Sequence, residues 1–176
     1  MSNTNNIIAC ICEGAAEDVI VNILLDADKL IFTREELLDN TVIRTRGAQH
    51  FERIYLNKDF GGRTITIYRI LDSRKENFNL SKVYKRKVEV INIITSPEIE
   101  MLVIIKEGEY KNYLKYKNKM KPNEYCKNIL KLPKVKSNKF ISAYFSCTDD
   151  LVNVILEYKE VSNRPKGEKC LADLIK

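Results

Sequence analysis

The sequence predicts an α/β protein: a mostly parallel central sheet with helices on both faces and a helical C-terminal tail. Two observations carry this reading. Short strand-like runs at 7–12, 41–45, 64–71 and 88–95 alternate with stretches of helical periodicity. Strands separated by helices call for crossover connections, which make neighbouring strands parallel and the crossovers right-handed. The first run, Ile7-Ile8-Ala9-Cys10-Ile11-Cys12, is apolar throughout, as befits a strand covered on both faces.

That run is followed at once by Glu13 and Gly14, and then by a helical stretch from Ala15 to Leu25. The order is strand, tight turn, helix, with Gly14 allowing the turn without steric cost. The helix is expected to end near Asp26-Ala27-Asp28. Thr33 and Glu36 have the spacing of a capping box before Leu37-Leu38, which predicts a short helix. Residues 41–45 read as a second strand. Gly47 precedes a helical pattern with Phe51, Ile54 and Tyr55 on one side, closed by Gly61-Gly62. The strongest strand signal is 64–71, where five of eight residues are β-branched. It ends at Asp72-Ser73-Arg74. Residues 81–87 are basic and read as a turn of helix or a loop. Residues 88–95 form another strand, after which Ser96 can cap, and Pro97 can start, a helix. That helix is apolar on nearly all sides through 101–105, so it is buried. Pro122 begins a short helix ended by Pro133. Residues 149–158 are amphipathic, and a short final helix spans 168–175.

The chain has 176 residues, enough for one domain with a sizeable core or a domain with an appendage. Residues 1–110 read as the α/β core and 111–176 as a basic, helical extension packed on it, without a firm split. From 106 to 139 there are eleven lysines against three glutamates. Tyr110, Tyr113 and Tyr116 in this stretch are spaced like a helix face that packs on the domain, although lysines mixed with tyrosines also suit nucleic acid. The net charge of +6 permits an anionic partner without demanding one. Five cysteines, two of them in the first strand, read as buried fillers in a reducing compartment, and a single histidine argues against a Cys/His zinc site. The N-terminus lacks a basic leader, and no apolar run reaches transmembrane length, so a cytoplasmic protein without membrane association is expected.

Glu13, Glu17, Asp72 and Glu100 share one property. Each lies at, or one turn beyond, the carboxyl end of a predicted parallel strand, where open α/β sheets place their ligands. Glu17 is four residues beyond Glu13, on the helix face that looks back towards it. Two carboxylates meeting there repel unless a cation lies between them. Such a cluster suits Mg²⁺ or Mn²⁺, and a pair of these ions can activate water and stabilise the leaving oxygen of a phosphodiester. Each residue also has an ordinary explanation: acidic residues favour helix N-termini, and aspartates end strands as turn formers. Lys82, Lys85, Arg86 and Lys87 are candidates for contact with a nucleic-acid backbone.

Three short motifs carry a resemblance. Cys12-Glu13-Gly14-Ala15-Ala16-Glu17 resembles the opening Glu-Gly-x-x-Glu of Toprim domains of the overcoming-lysogenization-defect (OLD) type. Arg69-Ile70-Leu71-Asp72-Ser73-Arg74 lies where that fold has its hydrophobic strand and Asp-x-Asp. Ser96-Pro97-Glu98-Ile99-Glu100-Met101-Leu102 is similar to the Asn-Pro-x-Phe-Glu-x-Trp stretch of the small RloB-like Toprim proteins, which travel with bacterial defence genes. The resemblance spans roughly residues 7 to 110. It implies a Toprim-like Rossmannoid fold and a Mg²⁺- or Mn²⁺-dependent nuclease acting on DNA or RNA in phage–host conflict. Glu13, Glu17, Asp72 and Glu100 would be the metal ligands. Glu13, Asp72 and Arg74 would serve the chemistry.

The departures define the alternative. Arg74 replaces the second acidic residue of Asp-x-Asp, and Glu76 substitutes only if the loop bends back. Lys106 stands where the RloB-like pattern often has histidine. A degenerate Toprim module that binds nucleic acid or a partner effector protein without cutting accounts for both. A primase or topoisomerase is disfavoured by the short chain, and a nucleotide-binding loop by the lack of GxxxxGK or GxGxxG. The spared edge of a small parallel sheet permits a homodimer.

Overall fold

The computed structural model describes residues 6–176, apart from the side chain of Glu98. Three parallel strands form the sheet in the order β1 (Asn6–Cys12), β2 (Thr64–Leu71), β3 (Val88–Ile94). Register pairs Cys12 with Ile70 and Leu71 with Ile94, so the three carboxyl ends lie side by side. Seven helices accompany them: α1 (Ala15–Asp26), α2 (Ala48–Phe51), α3 (Glu98–Lys106), α4 (Tyr110–Tyr116), α5 (Pro122–Asn128), α6 (Asn138–Tyr144) and α7 (Thr148–Val161). No helix among the described residues is long and apolar enough to cross a membrane.

Strand alternation divides the core into two layers. Ile8, Cys10 and Cys12 of β1 and Ile70 of β2 face one cluster, built with α1, α3 and α5–α7. Ile7, Ala9 and Ile11, with Ile65 and Ile67, face the other, where Leu38, Ile43, Ala48, Phe51, Leu56 and the loop residue Leu80 cover the sheet. The C-terminal helices pack on the first layer. Tyr113 meets Tyr125 edge to face with centroids 5.3 Å apart, and the Tyr110 hydroxyl donates to the Val161 carbonyl. Lys106 bonds the Tyr144 carbonyl at 2.9 Å and Asp150 at 3.1 Å, tying α3 to α6 and α7.

Several sequence expectations change. Residues 41–45 do not form a strand. Of these five, Ile43 alone bridges β1, its N–H donating to the Cys10 carbonyl while its own carbonyl accepts from Cys12. Asp39 and Asn40 hold φ of 54° just upstream, turning the chain away from any longer ladder. Glu36 caps the Thr33 amide at 2.8 Å, but the helix that follows is only a 3₁₀ turn, Leu38–Asn40. The helix after Gly47 lasts one turn and widens into a π-helical turn over Glu52–Leu56. Residues 82–87 are tight turns, with the Lys87 and Val88 amides bonded to the Tyr84 carbonyl. The last helix is only a 3₁₀ turn, Leu171–Leu174, and α6 appears where no helix was expected. The carboxyl end of β3 is covered, since Ile94 N–H donates to the Lys169 carbonyl.

Candidate functional site

Sheet parity decides where the acidic residues point. Glu13 continues the Ile7, Ala9, Ile11 series and therefore turns to the thinly covered face. Arg69 continues Ile65 and Ile67 on the same face. Arg69 Nη2 donates to Glu13 Oε1 at 2.7 Å with both side chains buried. The guanidinium also lies 4.6 Å over the Phe78 ring and reaches Asn92 Oδ1 at 3.4 Å, while its Nε has no partner. Burial pushes the Glu13 carboxyl up from its ordinary value, and Arg69 opposes that. The charge of Glu76 adds to the rise.

Glu17 belongs to the opposite face. It is buried on α1, facing Thr95, whose Oγ1 lies 3.3 Å from Glu17 Oε1. The Thr95 hydroxyl is also 2.9 Å from the Leu71 carbonyl, its closer acceptor. Gly14 has an ordinary extended φ of −96°, so the turn itself does not require glycine. A Cβ at Gly14 would meet Glu17 Oε2 at 1.9 Å: the missing side chain makes room for the carboxylate. Burial raises the Glu17 pKa, Asp72 raises it further, and Lys136 opposes both.

Glu100 is buried in the first turn of α3. Its Oε1 lies 3.3 Å from Lys136 Nζ, and its Oε2 is buried without a hydrogen-bond partner. Lys136, in the loop before α6, thus serves Glu100 directly and Glu17 through space. Asp72 sits exposed at the rim. Arg74 points away from the acidic residues and makes a two-pronged bond with Glu168 at 2.6 and 2.8 Å. Lys82, Lys85, Arg86 and Lys87 precede β3, so they lie at the amino-terminal edge of the sheet, opposite the carboxylates.

The four expected metal ligands therefore separate. Glu100 pairs with Lys136, whose charge is also felt by Glu17, while Glu13 is held by Arg69 on the opposite face and Asp72 is exposed. Among the described residues, no three His, Cys, Asp or Glu side chains are grouped to hold a metal ion. As the side chains stand, they do not fit Mg²⁺ or Mn²⁺: the buried carboxylates already face an ammonium or a guanidinium. Two residues that sequence reasoning missed matter most. Arg69 was signalled by being the lone charge in an otherwise uncharged strand, whereas nothing local marked Lys136.

No protein-family model, no curated protein and no solved structure matches this chain.

Proposed function

We propose that this protein is a non-catalytic, degenerate Toprim-like module that binds nucleic acid. The observation that supports the reading best is the buried Glu13–Arg69 pair. An arginine stays protonated at any working pH, and freeing Glu13 for a metal would strand a guanidinium inside the protein. Lys136 places a second cation against Glu100. Arg74, the residue in place of an acidic ligand, is engaged by Glu168. The net charge of +6 and the exposed lysines and arginines of 82–87 and 106–139 favour an anionic polymer as the partner.

The test is binding of labelled DNA and RNA oligonucleotides in EDTA and in Mg²⁺. Equal, salt-sensitive binding in both is expected, with no shortening of the oligonucleotide. Binding or cleavage that requires Mg²⁺ would overturn the reading.

One observation favours a second reading. The unpartnered Oε2 of Glu100, a residue that shares Lys136 with Glu17, is the kind of oxygen a divalent cation would satisfy. A Mg²⁺- or Mn²⁺-dependent nuclease on Glu17, Asp72 and Glu100 would need Lys136 to withdraw and would leave Glu13 out.

A further inference from the structure

The amino-terminal edge of the sheet carries a cleft that the carboxylate site does not involve. One part, of about 400 Å³, is lined by Lys58, Phe60, Arg63, Tyr84, Arg86 and Lys87. It continues across Thr64 and Thr66 into a second hollow of about 440 Å³ that shares Arg86 and Lys87. Four cations face the first part against one carboxylate, Asp59, which accepts from the Gly61 amide. Lys58 has a distant partner in Asp39 at 3.7 Å, and Arg63 Nε bonds the Phe60 carbonyl. Among the described residues Arg86 and Lys87 form no ion pair, although both are exposed. The turns that present them are fixed: Tyr84 and Lys85 amides bond the Ser81 carbonyl, and the half-buried Tyr84 packs on the core. Gly61 and Gly62, with φ of 61° and 77°, leave the mouth open, since nothing lies within 4 Å of where their Cβ atoms would be.

Concentrated positive charge beside an aromatic ring, in a hollow the size of a nucleotide, is the chemistry of single-stranded nucleic acid. The cations follow the phosphates and the ring stacks on a base, whereas a duplex is too wide to enter. We infer that this cleft holds a single-stranded segment, with Arg63, Arg86 and Lys87 on consecutive phosphates and Tyr84 against a base. The inference rests on the nucleic-acid reading above and specifies strandedness and place.

Fluorescence anisotropy with a twelve-residue oligo-dT, its RNA counterpart, a duplex of equal length and inorganic polyphosphate tests it. The single strands should bind more tightly than the duplex. Arg86→Ala/Lys87→Ala should weaken them about tenfold or more and reduce the salt slope by about 1.4, at about 0.7 for each lost phosphate contact. Tyr84→Leu keeps an apolar side chain on the core and should weaken the oligonucleotides but not polyphosphate. Thermal melting confirms that each variant is folded. Lys166→Ala, an exposed lysine outside both basic segments, should change nothing, and Lys117→Ala/Lys119→Ala should weaken binding less than Arg86→Ala/Lys87→Ala. If binding instead follows Lys117 and Lys119, or Tyr84→Leu weakens neither ligand, the cleft assignment fails while nucleic-acid binding stands. If no oligonucleotide binds at low salt, both fail.

Discussion

Arg69 Nη2 donates to Glu13 Oε1 across 2.7 Å, with the two side chains only 1% and 2% exposed. An ion pair this deep is kept by mutual dependence. Removing one partner leaves a charge in an apolar layer, whereas removing both restores a core. Arg69→Met alone should destabilise the fold by about 3–5 kcal/mol, while Arg69→Met with Glu13→Leu should recover most of that loss. Urea denaturation of the three proteins checks it. Equal costs for the single and double variants would contradict the pairing.

Gly14 and Glu17 form a second dependent pair. Gly14→Ala drives a Cβ into the Glu17 carboxylate and should cost about 2–3 kcal/mol. With Glu17→Ala already present, only the cap preference remains, about 0.5–1 kcal/mol. A coupling of about 1–2 kcal/mol in the double-mutant cycle is expected, and additivity would place the carboxylate elsewhere.

Glu17 also sets a pH dependence. Its pKa in the fold is raised above the ordinary value of 4.5, chiefly by burial, so the native state holds its proton where the unfolded chain has released it. The native state then binds more protons, and stability falls as pH rises from about 4.5 through the raised value. Glu13, raised for the same reason, contributes with the same sign. Glu17→Gln should flatten the fall, so its advantage over the parent grows towards neutral pH in melting curves. A variant whose curve stays parallel to the parent's would contradict this.

Arg74 is an exposed tether between the end of β2 and the C-terminal segment. Arg74→Ala should cost under about 1 kcal/mol and leave oligonucleotide affinity unchanged. A tenfold loss of affinity would return Arg74 to the binding surface.

The sheet was legible because its signals are local. Residues 64–71 are β-branched and lie in a central strand, and they form β2 with the expected ends. Helix α1 follows Gly14 as the pattern indicates. The edge was less legible. Leu37 and Ile43 each touch β1 at one point, and the positive φ of Asp39 and Asn40 between them follows from tertiary placement. The four carboxylates were readable as strand-end residues but not as neighbours. Glu13 sits one position beyond the last residue of β1, and the two-residue period turns it to the opposite face from Glu17. Lys136 meets Glu100 only after α4 and α5 have folded back, a contact no local pattern announces.

With Glu13 held by Arg69 and Glu100 Oε1 by Lys136, the carboxylates should neither hold a divalent metal nor drive cleavage. Calorimetric titration of the purified protein with Mn²⁺, with single- and double-stranded DNA and RNA incubated in the same buffer, tests it most directly. No saturable heat of metal binding and intact oligonucleotides are expected. Stoichiometric Mn²⁺ binding with cleavage, both lost in Glu17→Gln, would contradict it and establish the metal-dependent nuclease instead.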